Sequence, residues 1–152
     1  MKVVKLTNEN QAKISAAISA VDYIEDGMTI GLGSGSTSAW MIECLAKRIL
    51  KENLSIKGVP TSIATKNLAE TNGISLTTLD QVKALDLTID GTDECDKNYN
   101  LIKGGGAALL HEKIVAKASK KVIIIADVSK YVNTLGNFPL PVEVIEFGRR
   151  FS

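Results

Sequence analysis

Short apolar segments alternate along the chain with longer segments whose apolar residues recur at helical spacing. The short segments predict strands at Met28 to Leu32, Leu54 to Val59, Ile74 to Leu79, Leu85 to Ile89 and Lys121 to Ala126. The longer segments predict helices that begin at a cap on Thr7 or Asn8, after the glycines of 33–37, at Ser62 and near Ala107. The sequence therefore predicts strands and helices that alternate along the chain.

Strands that are apolar throughout, and separated by helices, are typical of a parallel sheet covered on both faces. We therefore predict an α/β fold with an open, mainly parallel, Rossmann-like sheet and helices on both faces, spanning residues 1–137. Phe138-Pro-Leu-Pro141 has the composition of a linker, and Val142 to Phe147 predicts one more strand. Residues 138–152 are accordingly predicted to be a linker and the opening strand of a second, small α/β domain.

Polar residues follow three of the predicted strands. They are the segment 33–37, the acidic segment 90–94 and the turn from Asp127 to Lys130. In open α/β sheets the ligand binds beyond the carboxyl ends of the strands. We therefore expect these three segments to meet at one site.

The segment Gly33-Ser34-Gly35-Ser36-Thr37 offers backbone N–H groups and hydroxyls at the start of a helix, where the helix dipole favours an anion. No lysine follows it as in a Walker loop, and its glycine spacing does not match a dinucleotide-binding loop. The alternative is that Ser36 or Thr37 only caps the helix. The residues of this segment therefore leave both a phosphate site and a simple helix cap open.

Three carboxylates, those of Asp90, Asp93 and Glu94, follow the predicted strand that ends at Ile89. Clustered acids at a ligand-binding edge raise the pKa of at least one of them, which suits proton transfer. A solvated turn is one alternative, and magnesium binding is another, because hard cations prefer carboxylates. Lys103 would compete with a cation, so we favour catalysis without a metal.

Lys103 precedes three consecutive glycines at 104–106 and a helix that carries Glu112. Glycines there permit close approach of the backbone to a ligand, although they could also be a simple hinge. Glu112 could be an ordinary surface acid, and His111 points about 100° away from it around the helix, so we expect His111 to be structural. Acids, a lysine and free amides are what is needed to move a proton beside a carbonyl and to hold the resulting oxyanion.

Composition narrows the function classes. Hydrophobic content of 45% and charged content of 23% fit a globular protein. The net charge of +1, with acids and bases interspersed, predicts no nucleic-acid partner, and the longest apolar stretch, Val122 to Ala126, is too short to span a membrane. The lysine-bearing N-terminus has no apolar core behind it, and Cys44 and Cys95 are lone thiols, so we expect no signal peptide and a cytoplasmic location.

Five motifs, in this order, resemble those of A-type ribose-5-phosphate isomerase. They are Gly-Ser-Gly-Ser-Thr at 33–37, Asp-Gly-Thr-Asp-Glu at 90–94, Lys-Gly-Gly-Gly-Ala-Ala at 103–108, Glu112-Lys113 and Ala126-Asp-Val-Ser-Lys130. The similarity continues through 138–145 and so covers nearly the whole chain. It implies interconversion of ribose 5-phosphate and ribulose 5-phosphate, in the non-oxidative pentose phosphate pathway, with no metal or organic cofactor.

The resemblance also implies a role for each matching residue. Glu112 would be the base that carries a proton between C1 and C2 through an enediol. Asp90 and Asp93 would assist ring opening and hydroxyl proton transfer, while Lys103 would stabilise the enediolate oxygen together with the amides of Gly105 and Gly106. The substrate-binding residues would be Lys13, Ser34, Gly35, Ser36, Thr37, Gly91, Thr92, Gly104, Gly105, Gly106 and Lys130. Ser34 departs from the threonine expected at its position, but it keeps the hydroxyl.

The chain is shorter than the family pattern, in which a small second domain is followed by a last strand and helix of the main sheet. We therefore expect one sheet edge to be unpaired or covered by a neighbour, and the chain to self-associate as a homodimer or larger. We also expect lower stability and activity than a full-length relative. Alternatives are a non-catalytic sugar-phosphate-sensing domain and an inactive truncated isomerase. The joint presence of Glu112 and Lys103 favours the enzyme, because a sensor needs no proton-transfer pair.

Overall fold

Four parallel strands form the central sheet in the computed structural model, which describes residues 7–151. The strands within these residues are β1 Thr29–Leu32, β2 Lys57–Pro60, β3 Leu87–Gly91, β4 Glu94–Cys95, β5 Leu101–Ile102 and β6 Val122–Ile125. The central sheet has the order β2-β1-β3-β6, and β4 and β5 form a separate antiparallel pair. The predictions about the N-terminal lysines fall largely on residues 1–6, which lie outside the described residues.

Four α-helices connect the strands, and the sequence predicted each of them. They are α1 Asn8–Val21, α2 Ser36–Glu52, α3 Ile63–Thr71 and α4 Leu109–Lys117. The hydroxyl of Thr7 caps α1 by accepting a hydrogen bond from the amide of Asn10 at 3.3 Å. The last helix starts two residues later than predicted because Ala107 has a φ of 55°, in the left-handed region that a helix cannot include.

Helices cover both faces of the sheet, as the sequence predicted. Ile30, Leu32 and Ile89 point to one face and pack in a buried core with α1 and α2. Gly31 points to the other face, beneath α4. A Cβ atom on Gly31 would lie 2.5 Å from Cγ1 of Val115, so the missing side chain lets α4 approach the sheet closely.

Two predicted strands differ from the structure. The segment from Ile74 to Leu79 forms only a single parallel bridge, between Gly58 and Leu76, and then a short 3₁₀ turn at Leu79–Gln81. The segment Val142 to Phe147 is not a strand, and its apolar side chains are exposed. No strand among residues 7–151 lies beside it to supply hydrogen bonds, and a single strand cannot satisfy its own backbone groups. The division into domains at residue 138 stays a prediction.

One edge of the central sheet is formed by β6. Within the described part of the chain β6 pairs only with β3, so its other side has no strand partner. Val122, at its start, is 42% exposed. No helix among residues 7–151 has the length and apolar character needed to cross a membrane.

Candidate active site

The three polar segments predicted to converge do so at the carboxyl edge of the sheet. They surround a cavity of about 110 Å³ that lies between the ends of β1 and β3. The chain passes from β1 to β2 on one side and later returns to β3 on the other, so this is the point where the strand order reverses and where such sheets bind ligands. The cavity is lined by Ser34, Gly35, Ser36, Thr37, Gly91, Thr92, Asp93, Lys103, Gly104, Gly106, Glu112 and Lys130.

The loop after β1 rests directly on Asp90. The amide of Ser34 donates a hydrogen bond to Oδ1 of Asp90 at 3.0 Å. Gly33 makes this contact possible, because a Cβ atom there would lie 2.2 Å from the same oxygen. The loop then reaches Gly35, whose φ of 92° is in the left-handed region, and α2 starts at the next residue. No side chain caps α2, so the N–H groups of its first turn face the cavity without a helical partner and suit an anion.

Two threonines that we did not predict to belong to the site hold this loop in place. The hydroxyl of Thr61 lies 2.7 Å from that of Ser34 and also donates to the carbonyl of Leu32. The hydroxyl of Thr65 donates to the carbonyl of Gly33 at 3.0 Å. Only their positions in the sequence could have indicated this role, because Thr61 directly follows β2 and Thr65 lies in the first turn of α3. Both are buried, so they support the loop rather than line the cavity.

Lys103 brings the acids of two different elements together. Its Nζ lies 3.0 Å from Oδ2 of Asp90 and 3.1 Å from Oε2 of Glu112, and it donates to the carbonyl of Gly91. Lys103 reaches this position because it directly follows β5. That strand is aligned with the acidic segment through β4 and through the Thr92 hydroxyl, which contacts the carbonyl of Ile102 at 2.8 Å.

Glu112 is buried, with 7% of its surface exposed, on the side of α4 that faces the cavity. Burial raises the pKa of its carboxyl group, and the charge of Asp90 raises it further, while the ammonium of Lys103 opposes both effects. Among residues 7–151 no donor makes a well-directed hydrogen bond to Oε2 of Glu112. The raised pKa makes this carboxylate a better proton acceptor than an ordinary glutamate, which suits a general base.

The glycine triplet lies beside Asp93. The turn from Gly104 to Ala107 directs the amide of Gly105 to Oδ2 of Asp93, at 2.9 Å. Gly104 and Gly106 line the cavity, whereas Gly105 does not. The amide of Gly105 therefore donates to Asp93 in this structure, whereas the resemblance implied that it would hold an enediolate oxygen.

The two lysines expected at the phosphate differ in their placement. Lys130 lines the cavity, at the end of the turn that Asp127 starts after β6. Lys13, on α1, is buried and paired with Glu9, and it does not line the cavity. It nevertheless lies near the same turn. Burial alone would raise the pKa of Asp127, but hydrogen bonds from Ser129 and the charges of Lys13 and Lys130 hold it below its ordinary value.

His111 lies outside this cavity, as the helical spacing predicted. It faces a larger, mostly apolar groove of about 490 Å³ together with Val59, Ile114 and Val115, on the other side of α4. Among residues 7–151, no three His, Cys, Asp or Glu side chains lie together in a way that could hold a metal ion. The expectation of a reaction without a metal stays a prediction.

The geometry can be compared with that of known proteins. The family model of ribose 5-phosphate isomerase A (phosphoriboisomerase A) matches residues 57–152, which is more than half of the chain. The chain belongs to the ribose 5-phosphate isomerase A family. It is 59% identical over 144 residues to ribose-5-phosphate isomerase A of Cereibacter sphaeroides strain ATCC 17029, and the match covers 95% of this chain and 55% of that relative. The chain thus spans about half the length of the curated relatives it matches.

Solved structures of the ribose 5-phosphate isomerase A family share the fold. The crystal structure of ribose 5-phosphate isomerase A from Neisseria gonorrhoeae matches with a TM-score of 0.86 and 42% identity, over 95% of this chain and 63% of that one. A complex of D-ribose-5-phosphate isomerase with phospho-erythronic acid matches with a TM-score of 0.82 and 45% identity, over 85% of this chain and 57% of that one. The parallel sheet and its helices are therefore those of the family.

Because burial raises the pKa of Glu112, replacing it should stabilise the fold. Between the ordinary carboxyl pKa and the raised one, the folded state binds more protons than the unfolded state, so the free energy of unfolding falls as pH rises. Glu112→Gln removes the buried charge. We expect the variant to be more stable than wild type at pH 7.5, and the difference to shrink toward pH 4.

Urea unfolding at both pH values measures this difference, with Glu25→Gln as the control because Glu25 is an exposed acid. A Glu112→Gln protein that is less stable than wild type at pH 7.5 would show that the contact with Lys103 outweighs the cost of burial.

Proposed function

We propose that the protein interconverts ribose 5-phosphate and ribulose 5-phosphate by proton transfer through an enediol. The observation that carries this proposal is the position of Lys103, whose ammonium lies within about 3 Å of both Asp90 and Glu112 at one end of the cavity. The first turn of α2 lines the same cavity. The cavity thus offers a base and an oxyanion partner for the reacting carbons, and an anion site for a phosphate. Relatives named ribose-5-phosphate isomerase A support the assignment.

In the proposed reaction Glu112 takes the proton from C2 of the open-chain aldose. The C1 carbonyl becomes an enediolate oxygen, and Lys103 stabilises its negative charge. Glu112 then returns the proton to C1, while a hydroxyl proton passes from the oxygen on C2 to the oxygen on C1, so that a ketose results. A well-placed general base contributes roughly 10²–10⁴ in rate. A well-placed oxyanion donor contributes about 2.7–4 kcal/mol.

The two aspartates are suited to different tasks. Asp90 accepts hydrogen bonds from the amides of Ser34 and Gly91 and faces Lys103, so it is suited to positioning the lysine. Asp93 lines the cavity, and within residues 7–151 its carboxylate receives a hydrogen bond from the amide of Gly105 alone, on Oδ2. Oδ1 of Asp93 is therefore the better candidate for moving the hydroxyl proton and for assisting ring opening.

The phosphate of the substrate would lie at the start of α2. Gly35, Ser36 and Thr37 offer amides and hydroxyls there, and Lys130 adds a positive charge at the rim. Lys13 would help after leaving Glu9, since it lies near the turn that ends at Lys130. The complex of a relative with phospho-erythronic acid supports a phosphorylated ligand. We propose a cytoplasmic location as well, which the free thiols of Cys44 and Cys95 support.

The reaction itself is tested by incubating the purified chain with ribose 5-phosphate in the presence of EDTA and following ribulose 5-phosphate by NMR. Turnover in EDTA supports the substrate, the reaction and independence from a metal together. Tight binding of ribose 5-phosphate without turnover would favour the sugar-phosphate sensor instead.

The base assignment predicts that Glu112→Gln lowers kcat by at least 10²-fold and leaves KM within a few-fold of wild type. The amide keeps the size of the side chain but cannot take a proton, so substrate still binds and the proton step fails. Steady-state kinetics measure both constants, with Glu25→Gln as the exposed control. A variant that retains more than about a tenth of wild-type kcat would refute the assignment.

The phosphate assignment predicts that Thr37→Ala mainly raises KM, because the variant loses a hydroxyl at the anion site but no group at the reacting carbons. Inhibition by inorganic phosphate should weaken by a similar factor. Thr71→Ala, at the exposed end of α3, is the matched control. If unphosphorylated ribose were converted as well as ribose 5-phosphate, the phosphate site would be ruled out.

We also propose that the protein self-associates as a homodimer or larger. Among residues 7–151 the other side of β6 has no strand partner, and it lies next to the exposed Val122; a sheet edge of this kind pairs readily with another chain. Sedimentation velocity over a range of concentrations should show a species larger than the 16.3 kDa chain, and Val122→Lys should weaken it. A single monomeric boundary at all concentrations would contradict the proposal.

A further inference from the structure

The acidic segment contains a third carboxylate, Glu94, for which the reaction has no use. Glu94 is 3% exposed and does not line the cavity. Its two carboxylate oxygens accept hydrogen bonds from the amides of Gly136 and Phe138, at 2.7 and 2.5 Å. Burying a carboxylate is costly unless it is well bonded, and these two bonds give each oxygen of Glu94 a donor. They tie β4 to a segment more than 40 residues later in the chain.

The segment held by Glu94 lies against the glycine triplet. A Cβ atom on Gly105 would be 2.7 Å from Cζ of Phe138, and one on Gly104 would be 3.4 Å from Cβ of Pro141. The ring of Phe138 therefore occupies the space that a side chain at 105 would need. Gly105 is enclosed between this ring and Asp93, whose carboxylate oxygens would lie 2.9 and 3.1 Å from the same Cβ.

The contact continues into the cavity through Asp93. The amide of Gly105 donates to Oδ2 of Asp93, and both Asp93 and the neighbouring Gly106 line the cavity. Glu94 thus acts on the cavity wall through three contacts in series: its hydrogen bonds to the backbone of 136–138, the ring of Phe138 on Gly105, and the amide of Gly105 on Asp93. If the hydrogen bonds of Glu94 were lost, Phe138 would no longer be held against Gly105, and only Asp93 would confine the glycine.

We propose that Glu94 is a positioning residue that holds the glycine triplet and Asp93 in place by anchoring Phe138. The proposal rests on the proposed function, because the purpose of the placement is the hydroxyl proton transfer assigned to Asp93. A misplacement of about 1 Å in a reacting group costs on the order of 10²-fold in rate. The phosphate site at α2 is built from other elements, so Glu94 affects kcat rather than KM.

Two variants break the series at different points. Glu94→Gln keeps one acceptor oxygen but presents an NH₂ group to the second backbone donor, so one hydrogen bond is lost. Phe138→Ala leaves both hydrogen bonds available and removes the ring from Gly105. The control is Glu143→Gln, because Glu143 is an exposed acid further along the same segment. If Glu94→Gln does not fold, Phe138→Ala decides the outcome.

The first measurement needs no activity. Backbone ¹⁵N relaxation gives the order parameter of the Gly105 amide, which is about 0.85 for a rigid backbone and below about 0.6 for a flexible one. We expect a fall toward the flexible value in Glu94→Gln and Phe138→Ala, and no change in Glu143→Gln. An unchanged Gly105 in both variants would overturn the proposal, even if Gly136 became mobile.

The second measurement is steady-state isomerase kinetics. We expect both variants to lower kcat by roughly 10–100-fold, with KM and inhibition by inorganic phosphate close to wild type. Equal turnover despite a mobile Gly105, or a rise in KM alone, would overturn the positioning role. If the wild-type chain shows no turnover, the proposed function fails, and the order parameter of Gly105 alone then decides whether Glu94 holds the triplet.

Discussion

The placement of one positive charge between two buried carboxylates is the constraint on which the rest of the site depends. Asp90 ends a strand of the sheet and Glu112 projects from a helix on one face, and both are almost fully buried. Two carboxylates held so close would repel each other strongly in a medium of low dielectric. Lys103 lies within about 3 Å of both and makes the arrangement tolerable. Removing the lysine would leave two uncompensated buried charges, which is far costlier than losing a surface ion pair.

The local structure around Lys103 follows from this requirement. A two-residue pairing of β4 with β5 aligns Ile102 with Glu94, so the next residue, Lys103, emerges beside the end of β3. Asp90 in turn accepts the amide of Ser34, which places the loop before α2 against the same charge centre. The cation, the base and the anion-binding amides are therefore linked through Asp90. A substitution that breaks any of these contacts should therefore shift the positions of the other groups that line the cavity.

Glu112 is less well compensated for its burial than Asp90. Its carboxylate lies near Lys103 without a well-directed hydrogen bond, and burial keeps its pKa raised. A fully bonded carboxylate would be more stable but a weaker base, so the site trades stability for the ability to accept a proton. Asp90 is more fully bonded, because it accepts hydrogen bonds from two amides and faces the lysine. The two acids of the site therefore differ in how many donors surround them.

The pattern of apolar residues in the sequence determined the helices, most of the strands and the α/β class. Burial of one face of a helix imposes a regular repeat, and burial of both faces of a strand imposes an unbroken apolar run. The same pattern also determined that the loop after β1, the acidic segment and the turn at Lys130 would meet, since parallel strands end at one edge. It failed for β4, β5 and 142–147, because pairs of two residues have no period and a strand forms only where a partner lies beside it. The motif order indicated the family.

Only the tertiary structure decided which groups face the cavity and which are occupied elsewhere. The amide of Gly105 donates to Asp93, and Lys13 pairs with Glu9. Buried side chains outside the cavity lining hold the loops that form it, namely Thr61, Thr65 and Glu94. These contacts join residues from about 12 to more than 40 positions apart, apart from the pair on α1, and they depend on the direction of single bonds. Sequence spacing constrains which elements adjoin, but hydrogen-bond direction and burial are set by the packing of the whole chain.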